Sequence, residues 1–437
     1  MEKSFRFGLV LVLVFSLCST VFGATEPERW FGMVPTSKLK DIRSSLTGSN
    51  SSFTTFGTLT ATVGGEKLLT WIKKHPASGE PVQLQPGEKL WLMTTKDPAL
   101  QTVTFPGVRQ LWKGFGFRIL AADDTAQMGL AEKVSSDFTR IEPLPANVSI
   151  LSAPRRPLKS PPQDPLQGLL ERVDKEAFAT DLKALVDLKT RYTYSDGAKK
   201  AIDYCETVMK ELGLTTRRLP FKGASTPAEN LEGLLPGFDP SNAGEVIIIG
   251  HLDSTSPQAS TLAPGADDNG TGAAGVLALA RFMKGLKGRA SVRFLVVLGE
   301  EQGMLGSKAY VAGLKPEELA RIRGVINMDM IGFEATPPLS MMFETARFCE
   351  PLVQQMQDLA AKYTTLTTTV SWNPWGSDHI PFIKKEIQTV LTIESEFDDN
   401  PTYHKVTDTF EKVNQELSYQ ILRLNAATLA ELAAVER

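Results

Sequence analysis

Residues 250–272 read GHLDSTSPQASTLAPGADDNGTG, directly after the apolar run Val246-Ile247-Ile248-Ile249. Consecutive β-branched residues with no polar alternation describe a strand covered on both faces. His251 and Asp253 stand at its end. A Pro/Ser/Thr loop follows, then Asp267 and Asp268, then the glycine-rich start of a helix. A histidine and carboxylates gathered where a buried strand stops point to a metal site or to acid–base chemistry.

The same construction recurs towards the C-terminus. Nearly continuous apolar runs at 245–249, 292–298, 325–328 and 389–393 predict strands, and 270–284 predicts a helix between the first two. Upstream, Ile202, Cys205, Val208, Met209 and Leu212 fall on one helical face, with Gly213 as its C-cap. Alternating helices and buried strands give an α/β domain of three layers. Each strand ends in polar residues: His251 and Asp253, Gly299-Glu300-Glu301, Asp329, and Glu394, with Tyr403-His404 a little further on. Ligands bind outside the carboxyl ends of strands in such sheets, so these distant residues converge. Two histidines among several Asp and Glu suit Zn²⁺, Mn²⁺ or Co²⁺ better than Ca²⁺ or Mg²⁺, and the carboxylates are too many for one structural zinc.

At this point the strings GHLDS, APGADDNGTG, LGEEQGMLGS, NMDMIG, SDHIPF and YHKVTDT, in this order, resemble the secreted di-zinc aminopeptidases of peptidase family M28. The resemblance covers about 170–437. It implies a zinc-exopeptidase-like αβα domain on a mixed sheet, with two Zn²⁺ (Co²⁺ or Mn²⁺ as alternatives). It implies His251 and Asp329 as ligands of one metal, Glu301 and His404 as ligands of the other, and Asp268 bridging them. Glu300 is then the general base acting on a metal-bridging water, and Asp253 the carboxylate that orients His251. Three ligand carboxylates against two divalent ions leave one positive charge, a balance that favours a hydroxide nucleophile. The resemblance also implies a cis peptide between Asp268 and Asn269.

Ser377-Asp378-His379 resembles the family string beside the substrate pocket, which gives Asp378 and His379 an accessory role. Adjacent residues on one loop do not form a Ser/His/Asp triad. The family's upstream tyrosine is replaced here by Asn373-Pro374-Trp375-Gly376, so Trp372 or Trp375 is expected to wall the pocket. From position alone, Met330, Phe397 and Tyr403 are assigned to an apolar pocket for the first side chain, and Glu394 to a substrate's α-amine. Of the chain's 4 histidines, three lie in these strings. The remaining one, His75, is expected on a surface loop.

Residues 26–142 read as a smaller β-rich domain of accessory or pro-segment type. Leu59, Ala61 and Val63 alternate with threonines, Gly64-Gly65 is expected to close a hairpin, and strands are expected at 90–93 and 117–120. The proline-rich stretch 143–165 is expected to be a stiff linker, and 166–437 the metallopeptidase domain. At the start, Lys3 and Arg6 precede the apolar run 7–17, and Val21-Phe22-Gly23 offers small residues at the −3 and −1 positions of a cleavage site near Gly23. This describes a signal peptide over 1–23 and a secreted or periplasmic product without stable membrane association. Cys205 is expected as a buried thiol, with its pairing to Cys349 left open. A net charge of −3 gives no reason to expect nucleic acid as a partner. The expected partners are peptides and the expected state a monomer. An exopeptidase acting from the N-terminus is the leading expectation. A carboxypeptidase needs a basic residue for the terminal carboxylate and finds only Lys405 beside the motifs. A glutaminyl cyclase would lack part of the ligand set. A non-catalytic metal-binding module would lack Glu300.

Overall fold

The computed structural model describes residues 28–436, except 47–50, 76–77, 79, 96–99, 101–103, 115, 135–138, 159–163, 335–336 and 396. The expected signal peptide lies outside the described residues. Among the described residues, no helix is long and apolar enough to cross a membrane.

One mixed sheet of 13 strands organises the molecule. Its first eight strands are Thr215–Phe221, Ala228–Leu235, Ser291–Val297, Glu245–His251, Ile322–Met328, Thr389–Glu394, Ser340–Glu344 and Thr367–Ser371. The central strands Ser291–Val297, Glu245–His251, Ile322–Met328 and Thr389–Glu394 are parallel neighbours, so their carboxyl ends lie on one side. All seven residues of Glu245–His251 are buried, because helices cover both faces. Asp196–Glu211 contributes Ile202, Cys205, Val208 and Met209, and Gly213 follows in the left-handed region at φ 86°. Gly272–Met283 is buried almost throughout beneath the sheet. Gln415–Leu432 closes the same side with Leu417, Ile421 and Leu424. This is the expected three-layer α/β architecture. Cys205 and Cys349 are buried free thiols, and burial pushes Cys205 up to about 12.

The sheet does not stop where the composition changes. Beyond Thr367–Ser371 it continues through Val148–Leu151, Ser52–Phe56, Leu59–Gly64, Arg29–Pro35 and Val82–Leu84. A second sheet, Arg109–Gly114, Phe117–Ala122, Lys89–Thr95 and Thr139–Pro143, stands apart from it. The N-terminal part is β-rich as expected, and residues 148–155 of the expected linker are paired into the sheet. Val148–Leu151 pairs with Ser52–Phe56 on one side and meets Ser371 on the other, and Arg155 bridges to Thr368. Proline density marks extended backbone, and here that backbone is spent in sheet pairing. Gly64-Gly65 also differs from expectation. Leu59–Gly64 turns back on Ser52–Phe56 through Gly57 (φ 60°), whereas Gly65 is the N-cap of the helix Glu66–Lys73. Thr60 and Thr62 are fully buried, so the alternation of this strand does not separate core from solvent. His75 follows the helix Glu66–Lys73, half-buried, stacked on Trp71 at 3.8 Å with Nδ1 2.7 Å from the Trp71 carbonyl.

Candidate metal centre

The parallel strands deliver the polar cluster to one place. His251 Nε2 lies 3.3 Å from one Asp268 oxygen and 3.2 Å from Asp329. His404 Nε2 lies 3.1 Å from the other Asp268 oxygen and 3.0 Å from Glu301. Two groups capable of holding a metal ion result, His251–Asp268–Asp329 and Asp268–Glu301–His404, and they share Asp268. All five residues expected as ligands are therefore brought together.

The loop carrying Asp268 is shaped by sequence that only small residues satisfy. Gly265 takes φ 52°, and a Cβ there would lie 2.4 Å from Ser254 Cβ and 2.5 Å from the Asp268 carbonyl oxygen. A Cβ on Gly272 would lie 2.3 Å from the Met328 carbonyl oxygen. The Asp268–Asn269 peptide is cis, as expected. Asn269 donates to the Met328 carbonyl at 2.9 Å and accepts from the Gly272 amide at 2.8 Å, joining this loop to the strand that presents Asp329.

Three residues that the motif spacing did not single out hold the site. Arg191 is fully buried and donates to the carbonyls of Leu252, Pro264 and Gly265 at 2.8, 2.6 and 2.7 Å. It thereby clamps the His251 loop to the Asp268 loop. Burial lowers its pKa to about 10, with Asp408 and Asp253 opposing, so it stays charged at neutral pH. The Asp408 carboxylate accepts the amides of Asp267 and Asp268, each at 3.0 Å. Asp408 lies inside the string YHKVTDT, whereas Arg191 has no spacing relation to any motif. Thr193 donates to Asp253 at 3.0 Å.

Asp253 sits behind the site in a different way from that expected. His251 Nδ1 is 3.1 Å from the Asp253 backbone carbonyl and 3.6 Å from its carboxylate. That carboxylate accepts the amides of Glu300 and Glu301 at 3.3 and 3.2 Å. The backbone carbonyl is thus the nearer partner of the ring, and the side chain fixes the strand end that carries Glu300.

The electrostatics are those of a cation site. Burial raises Glu300 well above the usual carboxylate range; His251 opposes this, and Asp329, Asp378 and Glu301 add to it. Burial pushes Glu301 to about 7, His404 pulling it down and Asp268 up. Burial would also raise Asp268, but hydrogen bonds to His251 and His404 hold it well below its ordinary value. Burial would lower both histidines, yet Asp329 and Glu300 carry His251, and Glu301 and Asp268 carry His404, well above the usual imidazole range. Glu301 Oε1 is buried with no hydrogen-bond partner. Carboxylates crowded at this spacing, an orphaned buried oxygen and a mixed N/O donor set fit divalent zinc.

The surrounding residues divide. Asp378 accepts from Ser307 at 2.5 Å, and burial pushes it to about 7. His379 faces Glu344 at 3.3 Å. Ser377 Oγ is held by Asn327 at 2.9 Å, an arrangement that is not a nucleophilic triad. Glu394 accepts the amides of Gly332 and Phe333 at 3.1 and 2.6 Å, and burial and then the Asp267 charge raise it well above the usual range. Met330, Phe397, Tyr403 and Trp375 lie in one buried apolar cluster.

Residues 230–429 match Peptidase family M28. The match makes residues 230–429, a little under half of the chain, a domain of this family. It is 34% identical over 190 residues to Leupeptin-inactivating enzyme 1 of Streptomyces exfoliatus, a match covering 43% of this chain and 40% of that protein. It is 27% identical over 244 residues to Aminopeptidase YwaD of Bacillus subtilis, covering 55% and 52%. The chain thus spans about half the length of these curated relatives. The M28 domain also shares its fold with a zinc aminopeptidase from Bacillus subtilis, at TM-score 0.53 and 17% identity over 60% of this chain and 96% of that one. LapB from Legionella pneumophila matches at TM-score 0.54 and 16% identity, over 93% of this chain and 99% of that one.

Proposed function

We propose that this chain is a metal-dependent aminopeptidase with two zinc ions held by His251, Asp329, Asp268, Glu301 and His404. The observation that carries this is Asp268, with one carboxylate oxygen directed to each of two histidine-containing groups. Its similarity to an aminopeptidase and, in fold, to a zinc aminopeptidase of Bacillus subtilis points the same way. When bound, the metals supply Lewis acidity and lower the pKa of water from 15.7 to about 7.

Glu300 serves as general base and then as general acid. Buried, with its amide fixed by Asp253, it takes a proton during attack and hands it to the leaving amine. A buried carboxyl whose pKa is raised above the usual carboxylate range is suited to both tasks. Arg191, Asp408 and Asn269 hold the ligand loops in place. A surplus of buried acid groups suits a substrate's α-ammonium group. Lys405 donates to the Pro401 carbonyl at 2.7 Å and Arg191 to loop carbonyls, so neither is directed to the terminal carboxylate a carboxypeptidase must bind. The apolar run 7–17 supports export.

The test is a profile of free and N-blocked aminoacyl-anilides with metal content measured in parallel. Release of the N-terminal residue from free substrates alone is expected. Cleavage of blocked peptides from the C-terminus would overturn the proposal.

A further inference from the structure

The segment leading into Ser377-Asp378-His379 is tied to the N-terminal part at several points. The Trp372 amide donates to the Ile150 carbonyl, and the Ser152 amide to the Val370 carbonyl, both at 2.8 Å. Arg347 stacks over Trp372 at 4.5 Å and donates to the Ser149 carbonyl at 2.6 Å. From the second sheet, Arg140 on Thr139–Pro143 donates to the Asn373 side-chain oxygen and, at 3.4 Å, to the Pro374 carbonyl.

These ties lead to the site. The next residue, Trp375, donates its amide to Glu344 at 3.0 Å, and Glu344 also faces His379. Trp375 is buried in the same apolar cluster as Met330, Phe397 and Tyr403, a cluster that also includes Phe31, Phe56 and Phe117 of the N-terminal part. The guanidinium of Arg140 thus spans two acceptors on consecutive residues of the segment 372–376, a geometry a lysine ammonium does not reproduce.

We propose that Arg140 is a positioning residue for substrate specificity. It fixes the segment 372–376 so that Trp375 completes the apolar wall that receives a large first side chain. The N-terminal part is then a permanent component of the pocket, not a segment whose removal frees it. This rests on the aminopeptidase function proposed above.

The test uses the full-length, metal-loaded chain and the variants Arg140→Ala and Arg140→Lys. Arg140→Ala is expected to raise KM for a leucyl-anilide about ten-fold, with kcat and metal content retained and a smaller change for an alanyl-anilide. Arg140→Lys should fall between. Hydrogen exchange at the Asn373 and Trp375 amides, which needs no activity, should quicken in the same order. Unchanged exchange overturns the proposal, as does faster exchange with unchanged KM, or loss of kcat and metal at constant KM. A metal-loaded wild type that cleaves no aminoacyl substrate overturns the aminopeptidase function and the pocket assignment with it. Exchange then still reports whether Arg140 tethers the segment.

Discussion

The strand-end cluster and the seam at 148–155 lie in the same sheet, yet they are held together differently. At the cluster, each strand brings its own acid or histidine to its carboxyl end, and loop-holding residues such as Arg191 and Asp408 lock the ends together. At the seam, Val148–Leu151 carries no chemistry and joins two halves by backbone pairing and a shared apolar cluster. Charge decides the first region and burial the second. Substitutions should therefore separate them, with activity lost at the cluster and cooperative stability lost at the seam.

The largest effect is expected at Glu300. Glu300→Gln should lower kcat about 10²–10⁴-fold while metal content and thermal unfolding stay near those of the wild type. Near wild-type turnover would remove Glu300 from the proposed chemistry. Phe56→Ala comes next. Phe56 is fully buried, 5.1 Å from the Trp112 ring and 5.7 Å from the Phe117 ring. The substitution should cost about 3–5 kcal/mol, read as a lower midpoint of one unfolding transition. Two separated transitions would break the comparison, because the N-terminal part would then fold on its own.

Arg191→Met should act on both quantities at once. It leaves buried carbonyls on two ligand loops without their donor, at about 1–3 kcal/mol. It should also weaken metal affinity about 10–100-fold, as loss of an outer support does. Unchanged metal affinity, measured by competition with a chelator, would reduce Arg191 to a purely structural residue.

The difference between the regions also explains what the sequence reveals. The strand-end cluster was legible because its pattern is local: an apolar run, then His251-Leu252-Asp253, or Gly299-Glu300-Glu301, in a few consecutive residues. The clustering of His251, Asp268, Asp329, Glu301 and His404 followed from strands being parallel. Arg191 escaped because its partners are backbone carbonyls, which leave no mark in a sequence. The exchange of the Asp253 carboxylate for its own carbonyl at His251 turns on tenths of an ångström. At the seam, the prolines of 143–165 announced extended backbone but not its partner. Gly64-Gly65 resembled a hairpin because a helix N-cap and a tight turn both favour glycine.

Metal stoichiometry tests the bridging role of Asp268. Zinc should be removed with a chelator and returned in steps while bound metal and hydrolysis of a leucyl-anilide are followed together. Activity is expected to disappear on chelation and to return as bound zinc approaches two ions per chain. Full activity in metal-free protein, or saturation of binding and activity at one ion, would contradict the bridging role assigned to Asp268.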